Sequence, residues 1–163
     1  MILSGKTYYD TPIGLVELVC SDRGMTHLAF NDQPTVEINP GHDHLIQCME
    51  QLEEYFAGKR TQFTVFLDMV GTEFQMKVWH GLLDIPAGST QTYSQLANKY
   101  FTSKHTRAVG DACGQNKLLI LVPCHRVLAS DGKLTGYAGG ISRKRWLLDH
   151  EWGLFHGKQT QLF

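Results

Sequence analysis

The sequence predicts a small α/β domain followed by a mainly α-helical domain of helix-turn-helix (winged-helix-like) type. Three observations carry this expectation. Turn-punctuated strand patterns fill the first 30 residues, helical patterns dominate beyond residue 71, and the charge changes sign between the two parts. Residues 1–71 hold 4 Lys and Arg against 10 Asp and Glu, whereas residues 72–151 hold 10 against 6. The expected division is an N-terminal domain of residues 1–70, a small antiparallel sheet plus a helix, and a C-terminal domain of residues 71–163. Its basic balance makes the second half the place where a polyanion would bind.

In the first half, Lys6–Tyr9 and Leu15–Cys20 read as strands flanking the turn Thr11-Pro12-Ile13-Gly14. Ser21–Gly24 is a second turn and Met25–Phe30 a third strand, followed by a loop from Asn31 to Gly41 with two prolines. Leu45, Met49, Leu52 and Phe56 recur at helical spacing, and Gly58 supplies the stop. Phe63–Leu67 reads as one more strand.

In the second half, Thr72 opens a helix that carries Phe74, Val78 and Leu82 on one face and ends at Ile85-Pro86-Ala87-Gly88. Thr92–Lys99 forms a short helix, Phe101–Lys104 a turn, and Thr106–Gln115 a second short helix, the pair that suggests a helix-turn-helix. The outer face of that second helix is assigned to Ala108, Gly110, Ala112 and Gly114, with Arg107 as its one long cation. Small residues there mean either tight packing on another helix or close approach to a narrow groove with Arg107 inserted. Leu118–Val122 reads as a buried strand that stops at Pro123, and Ser142 is placed to cap a last helix, Arg143–Glu151.

Composition excludes several classes. With 42% hydrophobic and 19% charged residues, the chain is an ordinary globular one with no span-length apolar run and no signal-peptide pattern. The four cysteines show no framework spacing and no C-x-x-C pair, so reduced thiols in a cytoplasmic protein are expected. His42, His44 and Cys48 have a metal-like spacing but no obvious fourth ligand, and read as a polar helix start with a buried cysteine. No metal and no cofactor is expected. Trp79 and Trp146 sit on apolar helix faces and are read as core.

The most informative stretch is Val122-Pro123-Cys124-His125-Arg126-Val127. A free thiol has a pKa of about 8.5, so at neutral pH little of it is nucleophilic thiolate. His125 and Arg126 are both within reach to raise that fraction. A thiol hydrolase would use the same pair but would also need an oxyanion hole.

These residues fall into a larger ordered set: Gly71-Thr72-Glu73-Phe74-Gln75, Val78-Trp79, Ile85-Pro86-x-Gly88, Tyr93-Ser94-Gln95-Leu96-Ala97, Arg107-Ala108-Val109-Gly110, Asn116, Pro123–Val127, Gly136-Tyr137-Ala138-Gly139-Gly140 and Lys144-Arg145-Trp146-Leu147-Leu148-x-x-Glu151. Together they resemble the O6-alkylguanine-DNA alkyltransferases, densely over residues 71–152 and more loosely before them. The resemblance implies that Cys124 accepts the alkyl group, that His125 acts on the thiol through a bound water, and that Glu151 orients the imidazole. It makes Asn116 the tie between the recognition helix and the active-site turn, and Tyr93 the proton donor to the departing guanine. Arg107, with Thr106, Ala108, Gly110 and Tyr93, would contact DNA. Val127, Gly136, Tyr137, Ala138 and Gly139 would wall the pocket, with Lys144 beside the thiolate.

The activity so implied is irreversible, single-turnover repair of O6-alkylguanine, and of O4-alkylthymine, in double-stranded DNA by a monomer. The rival is a non-catalytic sensor or regulator that binds alkylated bases, and the presence of Cys124 argues against it. The sequence departs from the commoner family pattern at Lys117, where proline is frequent, and at Ala138, where some members have serine. It also lacks a cysteine-rich zinc domain.

Overall fold

A computed structural model describes residues 2–157, and the chain divides into two compact units, Met1–Val70 and Gly71–Phe163. In the first, strands β1 (Gly5–Thr11), β2 (Gly14–Ser21) and β3 (Gly24–Phe30) form an antiparallel sheet in that order. Thr11 closes the first hairpin from both sides: its hydroxyl donates to the Gly14 carbonyl at 2.6 Å and accepts from the Ile13 amide at 3.2 Å. One face of the sheet carries Val16, Leu18 and Leu28, all fully buried, because alternate strand residues share a face. Helix α1 (Asp43–Phe56) follows.

Two expectations for this unit change. The buried face of α1 carries Leu45, Cys48, Leu52 and Tyr55, so Met49 and Phe56 lie at its edge. That set is the true 3.6-residue stripe, displaced by one residue from the spacing read in the sequence. His42 takes the N-cap position, where its ring nitrogen accepts the His44 amide. Among the described residues no group of three or more ligating side chains could hold a metal ion.

Phe63–Leu67 makes no strand, only a single parallel bridge from Leu67 to Met25. Gln51 explains the interruption, because its side-chain amide accepts from the Thr64 amide at 2.9 Å and donates to the Thr64 hydroxyl at 2.7 Å. A side chain of α1 thus takes the place of a neighbouring strand.

The second unit contains α2 (Glu73–Leu83), β4 (Gln91–Thr92), α3 (Tyr93–Tyr100), α4 (Thr106–Gly114), β5 (Val127–Leu128) and α5 (Ile141–His156). Reciprocal capping boxes start α2 and α3, Thr72 with Gln75 and Thr92 with Gln95. Each satisfies two amides that a helix start would otherwise leave without partners. A 3₁₀ turn, Ser103–His105, joins α3 to α4 and completes the helix-turn-helix. Close packing of α2 on α3 depends on Gly81, where a Cβ would lie 2.6 Å from the Tyr100 ring. β4 and β5 pair in parallel over two residues each.

Three local expectations are corrected here. Ser142 lies inside α5 and Gly140, with φ of 90°, is its N-cap residue, with no side-chain cap bond. Ala112 is buried under Trp79, whose indole nitrogen donates to the Ala112 carbonyl at 2.9 Å. Alternate residues are 200° apart on a helix, so Ala108, Gly110, Ala112 and Gly114 were never one face. Leu118–Val122 is buried but is a tight turn and not a strand: Leu121 N donates to Leu119 O and Val122 N to Leu118 O, both at 2.8 Å. Ile120 sits there at φ of 71°, a conformation that costs a β-branched residue of order 1–3 kcal/mol.

Gly24 enters β3 where a Cβ would lie 2.5 Å from the Phe66 carbonyl oxygen, at φ of 155°. Gly24→Ala is expected to lower the stability of this unit by about 1–3 kcal/mol, read as a lower urea midpoint with an unchanged slope.

Candidate functional site

Cys124, His125 and Arg126 form a single 3₁₀ turn. Three residues per turn point successive side chains about 120° apart, so each meets a different neighbour. All three are buried, His125 completely.

Cys124 faces Asn116, whose amide nitrogen donates to Sγ at 3.2 Å and to the Val122 carbonyl at 2.8 Å. The Asn116 carbonyl oxygen accepts from the Leu118 amide at 2.9 Å. One buried amide therefore folds the Leu118–Val122 turn back and delivers the cysteine at its end. Burial pushes the Cys124 thiol up, and the Asn116 hydrogen bond, the Lys144 ammonium and the residue's own amide work against that rise.

His125 donates from Nε2 to Glu151 Oε1 at 2.7 Å, and its Nδ1 is buried with no hydrogen-bond partner among the described residues. Burial lowers the His125 pKa more than Glu151 raises it, with Arg126 and Lys144 adding to the fall. Glu151 accepts two further bonds from Arg126, Nε to Oε2 at 2.9 Å and Nη2 to Oε1 at 2.8 Å. Burial alone would raise the Glu151 carboxyl, but His125 and Arg126 outweigh it and hold the group well below the usual carboxylate range.

On α5 the buried residues Lys144, Leu147, Leu148 and Glu151 share one face, the i, i+3, i+4, i+7 stripe of an amphipathic helix. That stripe brings Lys144 and Glu151 to the same side of the helix. The Lys144 ammonium is fully buried and donates to Val127 O at 2.7 Å and Thr135 O at 3.0 Å. It also lies 5.8 Å from the centre of the Tyr93 ring. The Tyr93 hydroxyl donates to Thr135 O at 3.3 Å, and burial pushes its pKa up to about 12.

The structure therefore brings together Cys124, His125, Glu151, Asn116, Lys144 and Val127 in one buried cluster, with Tyr93 linked to it through Thr135. Gly139 is buried, Gly136 and Ala138 are exposed, and the hydroxyl of half-buried Tyr137 is enclosed without a hydrogen-bond partner among the described residues. On α4, Arg107 and Ala108 are exposed, Gly110 is half-buried, and Thr106 bonds back to Ser103 O at 2.8 Å. Tight internal packing does not explain the glycines. A Cβ at Gly114 would meet nothing within 4 Å, and one at Gly110 only the edge of Tyr93 at 3.9 Å.

Arg126 is the residue whose part the sequence concealed. Its guanidinium turns to Glu151 and, through Nη1 at 2.6 Å, to the Ile85 carbonyl, instead of serving the thiol directly. The only signal for this was a second cation adjoining the histidine that the buried carboxylate was expected to hold.

Fold and site together define a two-unit protein whose second unit couples a helix-turn-helix to a buried Cys–His–Glu cluster. The sequence profile described as 6-O-methylguanine DNA methyltransferase, DNA binding domain, matches residues 73–153. The one described as 6-O-methylguanine DNA methyltransferase, ribonuclease-like domain, matches residues 5–69. The chain belongs to the 6-O-methylguanine-DNA methyltransferase family. It is 43% identical over 146 residues to the methylated-DNA–protein-cysteine methyltransferase of Mycobacterium tuberculosis (strain ATCC 25618 / H37Rv), covering 87% of this chain and 88% of the relative. The protein of the same name from Methanosarcina barkeri is 41% identical over 152 residues, covering 88% and 96%. The crystal structure of Mycobacterium tuberculosis OGT in complex with DNA superposes with a TM-score of 0.83 at 43% identity, covering 90% of this chain and 92% of that one.

Asn116→Ala would leave the Leu118 amide without its partner and remove one bond to Val122 O. Each group so exposed costs about 1–3 kcal/mol. The variant is expected to melt well below the wild type in calorimetry.

Proposed function

We infer that this chain repairs O6-alkylguanine in double-stranded DNA by transferring the alkyl group irreversibly to Cys124. The observation that carries the reading is the buried arrangement of Asn116, just past α4, with Cys124 and His125 of the 3₁₀ turn and Glu151 of α5. Family membership supports it. So does the small, open face of α4, whose glycines no internal contact requires. The same chemistry extends to O4-alkylthymine, and the working form is a monomer in the reducing cytoplasm, in keeping with four free cysteines. No helix among the described residues is long and apolar enough to cross a membrane.

The alkyl carbon lies inside the duplex, so the nucleotide must leave the stack before a thiolate reaches it. Approach from the minor groove suits a helix of small residues with Arg107 filling the gap. The Cys124 proton passes through a bound water to His125 Nδ1, the one imidazole nitrogen that Glu151 leaves as an acceptor. Sulfur then attacks the alkyl carbon in line, the S–C bond forms, and the C–O6 bond breaks with its electron pair moving onto the guanine. The Tyr93 hydroxyl gives the guanine a proton, matching the one that His125 took. Burial keeps the Tyr93 hydroxyl protonated, so that it is present as a donor when the guanine departs. The product is a thioether that no residue of the site can hydrolyse, so each molecule acts once.

Peptide mapping by mass spectrometry after incubation with O6-methylguanine duplex is expected to place a single methyl group on Cys124. A methyl group on Cys20, Cys48 or Cys113, or none at all, would reject the reading, the last outcome favouring a sensor. Cys124→Ala should abolish transfer and retain salt-sensitive DNA binding.

Arg107→Ala is expected to slow repair of duplex DNA far more than reaction with free O6-benzylguanine, because an inserted side chain acts only where a stack has opened. Equal losses on the two substrates, followed as single-turnover rates, would make Arg107 a structural residue.

A further inference from the structure

Glu151 is held more firmly by Arg126 than by the histidine it would orient. Oε1 accepts from both His125 Nε2 and Arg126 Nη2, Oε2 accepts from Arg126 Nε, and Arg126 Nη1 is anchored on Ile85 O. These polar groups are all buried, with Glu151 1% and Arg126 6% exposed. A guanidinium does not lose its proton in proteins, so the carboxylate beside it stays an acceptor only. His125 must then donate from Nε2, and its lone pair falls on Nδ1.

We propose that Arg126 is a positioning residue for alkyl transfer, fixing the direction of the Glu151–His125 hydrogen bond so that Nδ1 is the nitrogen left to take the Cys124 proton. The inference rests on the transfer reading above and adds a residue to it. The charged groups that face His125 are Glu151 and Lys144 from α5 and Arg126 from its own turn. α2, packed on the same turn, directs Val78 and Leu82 inward and keeps Glu73, Lys77 and His80 exposed.

Without the guanidinium the carboxylate has two ways to recover, and both spoil the base. It can draw a proton onto the imidazole, giving an imidazolium with Nδ1–H. Alternatively it can take up a proton itself and donate to Nε2, moving the ring hydrogen to Nδ1. In either case the Nδ1 lone pair is lost. Arg126 lowers the His125 pKa by its charge, so its removal raises the pH needed to free the base.

Two readouts test this. The first is the nitrogen chemical shifts of the His125 ring, by ¹⁵N–¹H spectroscopy, which need no substrate. The wild type is expected to show a neutral ring with Nε2–H at pH 7, and an imidazolium or an Nδ1–H form there would overturn the proposal. The second is the pH profile of benzyl transfer from free O6-benzylguanine to Cys124.

Arg126→Gln is expected to place a proton on Nδ1, slow transfer at pH 7 by about 10²-fold, and move the acid limb of the profile upward. Arg126→Lys, which keeps the charge, should recover part of the rate and most of the profile. If Arg126→Gln melts earlier yet keeps the wild-type ring state and pH profile, Arg126 is scaffold only and the proposal fails. Should Arg126→Gln not fold, the wild-type ring state and Arg126→Lys decide. A wild type that accepts no benzyl group rejects the transfer reading instead, and the ring state still judges the hydrogen-bond direction.

Discussion

The buried carboxylate of Glu151 is the group around which the second unit is organised. A carboxylate taken out of water loses solvation worth several kcal/mol, and only well-placed partners offset it. Here the partners come from a neighbouring turn, and the arginine among them reaches on to the Ile85 carbonyl at the end of α2. One anion therefore joins α5, the Cys124–Arg126 turn and the α2–α3 connection. Breaking one side of such a pair leaves an uncompensated charge, which is why its members are strongly interdependent.

The thiol illustrates the opposite electrostatic problem. Burial disfavours its ionised form, as it does for Cys48 and Cys113, both pushed up to about 12. Cys124 differs in having an amide donor, Asn116, on its sulfur, whereas the Lys144 charge acts on both Cys113 and Cys124. Lys144 is itself lowered by burial and supported by the two cysteines. The Cys124 thiolate and the Lys144 ammonium thus favour each other's charge in a space where burial disfavours both. This buried cluster adjoins a helix whose exposed side bears almost nothing beyond Arg107, Ala108, Asp111 and glycine.

Much of this was legible in the chain. The three strands, the helix starts at Thr72 and Thr92 and the helix-turn-helix follow from local rules of alternation, helix spacing and turn chemistry. The candidate residues were read as a pattern of types in fixed order, and the geometry places Cys124, His125, Glu151 and Asn116 in one buried cluster. Two of the departures share one cause. Phe63–Leu67 and Leu118–Val122 are apolar runs that look like strands, but the amides of Thr64 and Leu118 bond to the side chains of Gln51 and Asn116 instead of a neighbouring strand. Ala112 looked exposed because small residues were counted along the chain and not around the helix.

By itself the sequence determined the main helices, the first three strands, their order and the residue types available for chemistry, because those depend on interactions within a few positions. Only the tertiary structure decided which nitrogen of His125 is left as an acceptor and that Arg126 serves Glu151 before it serves the thiol. It also decided that Gly114 of α4 faces open space and that Gly110 meets only the edge of Tyr93. These depend on contacts between residues such as Arg126 and Glu151 that lie far apart in the chain. Burial sets the strength of those contacts, and burial is a property of the packed unit, not of any segment of it.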